Sequence, residues 1–145
     1  MPSPKERLRE LIDAAMAKPE FQPKDGVTYC NLGLIQIAEN YDISVFRGMM
    51  ANQICDYLEK NWRRIGGDAA NKLANAGFIC IAAQKGKVHG HVALVYPGAM
   101  VYSTKWGHDT PVVGNVGKRN GVMGANFAFA TEPDFFTQHQ DDRAV

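Results

Sequence analysis

The chain has no pair of closely spaced cysteines. Cys30, Cys55 and Cys80 lie far apart, and without a CxxC unit neither a zinc ribbon nor a dithiol redox motif is indicated. An odd count also argues against a disulfide framework. Charge of one sign is missing too. Sixteen basic and 15 acidic residues leave a net charge of +1, so nothing electrostatic points to nucleic acid. No apolar run approaches membrane-spanning length, and no membrane association is expected. The start, Met1-Pro2-Ser3-Pro4-Lys5-Glu6-Arg7, carries no apolar segment of the signal-peptide kind. The expectation is a protein made in the cytoplasm that needs another route to any outside target. There are no internal repeats and no low-complexity segments. What is there is 145 residues. That is enough for one domain, residues 1–145, whose core needs neither disulfide nor metal.

Helical patterns come first. Ser3-Pro4-Lys5-Glu6 reads as a helix start, with Ser3 as N-cap and Glu6 in the capping-box place. Leu8, Leu11, Ile12, Ala15 and Met16 form its apolar stripe, and it should end by Lys18, before Pro19. A loop over Glu20–Thr28 leads to a second helix opening at Cys30, with Leu34, Ile37, Ala38 and Tyr41 at helical spacing. A third helix is expected from about Ala51 to Arg63, with Cys55 on its core face. A short one should be capped by Asp68 and stopped by Gly77. The composition then changes. Strands are expected at Phe78–Ala83, Gly90–Tyr96, Ala99–Ser103, Pro111–Val116 and Asn126–Ala130. The tail after Pro133 is polar, and its last residues should fray. Helices followed by short strands with tight turns indicate an α+β layout, with helices packed on an antiparallel sheet of about five strands.

The chemistry centres on Thr28-Tyr29-Cys30-Asn31-Leu32-Gly33. At a helix start, unpaired backbone N–H groups and the helix dipole favour a thiolate. A cysteine there with a downstream histidine is the pattern of a nucleophile with its base. The plain alternative is a small buried hydrophobe. Alternation on the second strand puts His91, Ala93 and Val95 on one face. If that face meets the Cys30 helix, His91 lands beside the thiol. A third group should fix the imidazole tautomer. His108, Asp109 and Asn115 are candidates, with Asp109 first because a carboxylate orients imidazole well. An oxyanion would be met by backbone N–H groups at the Cys30 helix start, with Tyr29 a candidate for an added hydroxyl. His89 and His91, with His108 or His139, could share a metal ion, but no carboxylate or cysteine stands at ligand spacing. The glycines around Gly114-Asn115-Val116-Gly117 lack the phosphate-loop form and read as turns.

From Gly26 to Phe129 the sequence resembles the NlpC/P60 family of cysteine peptidases and amidases. The points of likeness are Tyr29-Cys30-Asn31 at a helix start and Gly90-His91-Val92-Ala93-Leu94-Val95 opening a strand. Met50-Ala51-Asn52 and the segment Asn75 to Ala82 add to it. Within the family it looks most like small type VI secretion amidase effectors and related phage wall hydrolases. The resemblance implies a papain-like fold and hydrolysis of peptidoglycan stem peptides, typically between D-glutamate and the diamino acid, with no cofactor. Carried over by position, Cys30 is the nucleophile, His91 the base, and the polar third residue falls near Asp109. Tyr29 and Asn31 are the candidate oxyanion or substrate contacts, but with Leu32 they depart from the family's usual neighbours of the cysteine, so the family's local substrate contacts do not carry over as the nucleophile does. The resemblance also implies peptidoglycan as partner, action in the periplasm or wall after delivery by a secretion system or lysis, and a cognate immunity protein. A non-wall amide hydrolase, a deamidase, an acyltransferase or an inert binding module would share the same fold and residues.

Overall fold

The computed structural model describes residues 1–140; the fraying expected of the final residues falls on 141–145, outside that range. Helix α1 (Pro4–Ala17) begins as its sequence dictates. Ser3 Oγ accepts from the Glu6 N–H at 3.2 Å and donates to the Glu6 carboxylate at 2.9 Å. Its stripe buries Leu8, Ile12 and Ala15 fully. Ile12 seats directly over Gly114, where any side chain would push the helix off the sheet. Truncating Leu8 or Ile12 to Ala should cost about 2–5 kcal/mol.

After a short 3-10 turn (Pro19–Phe21), Lys24 and Val27 close a tight turn with backbone hydrogen bonds of 2.9 and 3.1 Å. Asp25 and Gly26 take positive φ there, the conformation Asp-Gly pairs favour. Helix α2 (Cys30–Glu39) follows, then α3 (Ala51–Asn61), which buries Ile54, Cys55 and Leu58. Strand β1 (Arg63–Ile65) precedes α4 (Gly67–Asn75). The α4 helix starts one residue before Asp68, so Gly66 is its N-cap and Asp68 lies in the first turn. Gly77, at φ +91°, ends it in the left-handed conformation expected of that position.

The remaining elements are β2 (Cys80–Gln84), β3 (His91–Val95), β4 (Val101–Ser103), β5 (His108–Thr110), β6 (Val112–Asn115), β7 (Gly121–Gly124), the single-turn helix α5 (Ala125–Ala128) and β8 (Asp134–Thr137). Six strands form one sheet in the order β1-β8-β2-β3-β6-β7, with every pairing antiparallel. β4 and β5 form a separate ribbon. The α+β layout is as expected. Successive residues of β2 and β3 are buried, so both faces of these strands are covered.

Two segments differ from expectation. Asn126–Ala130 reads as a strand by alternation, yet it contains most of α5. Phe127 points to solvent, 75% exposed, while Phe129 turns inward at 3%. The tail beyond Pro133 is not simply polar: β8 is inserted between β1 and β2, with Phe136 opposite Ile81. Phe135 and Phe136 are adjacent and both buried, so no period-2 signal marks the strand.

Candidate active site

Two segments converge at one end of β3. Cys30 is the first residue of α2, and its thiol meets the backbone of Val92, the residue after His91. The β3–β6 ladder stops at Leu94 opposite Gly114, so Val92 lies beyond it. Gly33, one turn along α2, permits the close approach. A Cβ there would stand 2.9 Å from Val116 Cγ2, inside contact distance for any real side chain. Burial pushes the Cys30 thiol above its usual pKa, and hydrogen bonds from the backbone of Val92, Asn31 and Cys30 oppose this without cancelling it. The helix start therefore favours thiolate as expected, but at 9% exposure desolvation outweighs it. Cys30 rests as the thiol. Cys55 and Cys80 are also buried, and burial first of all pushes them to about 11 and about 12; they are core residues.

His91 is held by Asn115. Val95 stands opposite Val113 across β3 and β6, which places His91 and Asn115 on the same face of neighbouring strands. The His91 Nε2 to Asn115 Oδ1 distance is 2.6 Å, and Asn115 Nδ2 donates to the Arg119 carbonyl at 2.8 Å. These two contacts determine the tautomer. A carbonyl only accepts, so the Asn115 edge facing Arg119 must be its NH₂. The other edge is then the oxygen, and the His91 nitrogen facing it must carry the proton. Neutral His91 thus has its free lone pair on Nδ1. Burial pushes its pKa below the ordinary imidazole value, partly offset by the Asn115 bond, so the ring is neutral at pH 7. Phe129 packs 4.8 Å from it, centroid to centroid. The hairpin carrying His91 is clamped from α3: Asn52 Nδ2 donates to the Gly86 carbonyl at 2.9 Å, and the Gly86 N–H donates back to Asn52 Oδ1 at 3.0 Å.

The expected third residue, Asp109, is not brought to His91. It is exposed on β5 opposite Tyr102, in the separate ribbon. It lines a hollow of about 430 Å³ with His108 and Glu132. Asn115 takes the place beside His91 because β6, not β5, is the strand that pairs with β3. One feature of the sequence marks Asn115: a lone amide in the apolar run Pro111–Val116, where a strand seldom carries Asn. Nothing comparable marks Phe129; Asn52 lies in the Met50-Ala51-Asn52 point of likeness, but its clamp on Gly86 is not visible there.

Tyr29 stands half-buried at the N-cap position without capping by its side chain, and its carbonyl accepts from the Gly33 N–H at 3.0 Å. Asn31 donates its amide to the Met49 carbonyl at 3.1 Å. A cleft of about 890 Å³ opens at His91, bounded by Thr28, His89, Asn115, Phe127 and Phe129 among others. Cys30, Tyr29 and Asn31 are not among its lining residues; for Cys30 this accords with its burial. His89 lines the cleft, whereas His139 stacks on Phe78 at 4.2 Å. Among the described residues no three His, Cys, Asp or Glu side chains form a group able to hold a metal ion, and no helix is long and apolar enough to cross a membrane.

Fold and site define an α+β protein with a buried cysteine at a helix start and a neutral, amide-held histidine at a strand start. No family model matches the chain. The chain is similar to the peptidoglycan amidase Tse1 of Pseudomonas aeruginosa, at 35% identity over 96 residues, 62% of this chain and 60% of that protein. The chain thus matches less than two thirds of that relative's length.

Proposed function

We propose that the protein is a cysteine amidase of peptidoglycan, cleaving an amide in the stem peptide, with the D-glutamyl–diamino acid bond as the target. The observation that carries the chemistry is the 2.6 Å bond from His91 Nε2 to Asn115 Oδ1, which leaves Nδ1 as the base at the strand end that meets the Cys30 thiol. The substrate class rests on the likeness to Tse1.

At rest both partners are neutral, so the thiolate forms as attack proceeds. Cys30 Sγ bonds to the scissile carbonyl carbon while His91 Nδ1 takes the thiol proton. Backbone N–H groups at the α2 start receive the developing oxyanion. His91 then returns its proton to the departing amine, leaving a thioester. Water attacks the thioester, His91 takes a proton from it, and the carboxylate product leaves as the thiol is restored. Throughout, Asn115 accepts from Nε2–H, so the ring cannot change tautomer and its charged form is stabilised. An enzyme of this kind would act in the periplasm or wall after delivery by a secretion system or lysis, and the producing cell would need an immunity protein.

The test is digestion of purified sacculi by wild type and Cys30→Ala, with mass analysis of the released muropeptides. Cleaved stems with wild type alone are expected. Intact sacculi with both folded proteins would overturn the wall reading.

A further inference from the structure

The cleft at His91 has a one-sided charge. Lys105, Lys118 and Arg119 line it, and among the described residues no Asp or Glu does. This is a local asymmetry, because the whole chain carries a net charge of only +1. The three cations are not equivalent. Lys105 Nζ donates to the carbonyls of Phe129 and Ala130 at 3.1 and 3.2 Å and lies 5.1 Å from the Trp106 ring centroid; it is engaged in holding the cleft wall. Lys118 and Arg119 are exposed, and among the described residues neither has an ion-pair partner.

The loop that carries them is pinned. Asn120 Nδ2 donates to the carbonyls of Phe21 and Met16 at 2.9 and 3.3 Å, and its Oδ1 accepts from the Gly117 N–H at 2.9 Å. At its near end, a Cβ on Gly117 would stand 3.1 Å from His91 Cε1. The Asn115 amide spans the join, holding the His91 ring on one side and the Arg119 carbonyl on the other. The backbone that carries these two cations is therefore fixed relative to the His91 ring. An anion bound there would be fixed relative to the amide under attack.

Building on the amidase reading above, we propose that Lys118 and Arg119 are specificity residues that read a free carboxylate next to the scissile bond, so the enzyme selects stems whose D-glutamyl α-carboxylate is ionised over stems in which it is amidated. The two substrates have nearly the same shape and differ by one charge, so the cations alone would separate them. A charge-assisted hydrogen bond to a carboxylate is the stronger kind, and the planar guanidinium matches its two oxygens. The neutral amide offers one acceptor oxygen in place of two, and no charge, to the two cationic donors.

The experiment compares kcat/KM on two synthetic muropeptides, identical except for D-glutamate or D-isoglutamine at the second position. Wild type should prefer the carboxylate form about ten-fold or more. In Lys118→Ala/Arg119→Ala the ratio should fall toward one, and in the wild type it should fall as salt is raised. Both residues are exposed, and folding is checked by thermal melting. Equal rates on the two substrates, or an unchanged preference in the double variant, would overturn this inference and leave the amidase reading standing. Cleavage of neither substrate by a folded wild type would overturn both.

Discussion

His91 and His108 carry the same ring into opposite surroundings. His108 lies on the exposed ribbon, with Nε2 3.0 Å from the Glu132 carboxylate and Nδ1 2.8 Å from the Asp109 carbonyl. The backbone of Asp109 first, and then Glu132, raise its pKa above the usual imidazole value. Among the described residues His91 has no carboxylate partner; burial lowers its pKa, and a neutral amide holds it. By residue type alone the His108–Asp109 pair is the more enzyme-like. A carboxylate near an exposed histidine makes a better-charged imidazole, whereas a base must start neutral and point one nitrogen at its substrate. Burial and a buried amide leave His91 in the neutral state that the proposed reaction requires.

The largest effect expected from breaking this contrast is at the thiol. Cys30→Ala should lower release of stem fragments by on the order of 10³-fold or more while the protein stays folded. Asp109→Asn should leave the rate within about twofold, as for a solvated residue away from the chemistry. A comparable loss in Asp109→Asn would put the chemistry at the wrong histidine.

A smaller loss, roughly 10²-fold in kcat, is expected for Asn115→Ala, which frees the tautomer of the base. The same variant should move the acid limb of the kcat/KM profile to lower pH, because the Asn115 bond is what partly holds the His91 pKa up. An acid limb that stays put would show that Asn115 does not act through His91.

Titration of the wild type by NMR sharpens the comparison further. The His91 signal should titrate below about 6.5 and the His108 signal above it. The two therefore contribute to stability with opposite sign. A lowered folded pKa means the unfolded chain binds the proton more readily, so the His91 contribution is lost as pH falls below about 6.5 toward its folded value. A raised one means the His108 contribution is present below about 6.5 and lost as pH rises through its folded value. Finding the two midpoints in the reverse order would refute the assignment of burial as the dominant cause at His91. The smallest effect belongs to Glu132→Gln, which should lower the His108 midpoint and leave the rate within about twofold, since exposed ion pairs contribute little.

Legibility followed locality. The Ser3 cap, the α1 stripe and the Gly77 stop are each written in a few adjacent residues, and each formed as expected. Cys30 at a helix start was legible for the same reason. Asn115 was visible as an oddity in an apolar strand, but its rank against Asp109 depended on which strand pairs with β3. That choice joins residues as far apart as Leu94 and Gly114, and no spacing rule encodes it. β8 carries no strand signal because burial on both faces erases alternation, and α5 reads as a strand because Phe127 and Phe129 alternate without being in one.

Neighbouring residues alone set helices α1 to α4, the turn that launches α2 and the placing of a cysteine at its first residue. Caps, stripes and turn residues act within one or two turns of chain, and their energies do not wait for the fold. Only the tertiary structure decided that the thiol is buried and rests protonated, that His91 is neutral with its proton on Nε2, and that the loop of Lys118 and Arg119 is moored beside it. Those properties come from desolvation and from strand pairings between distant residues, and neither exists until the sheet has formed.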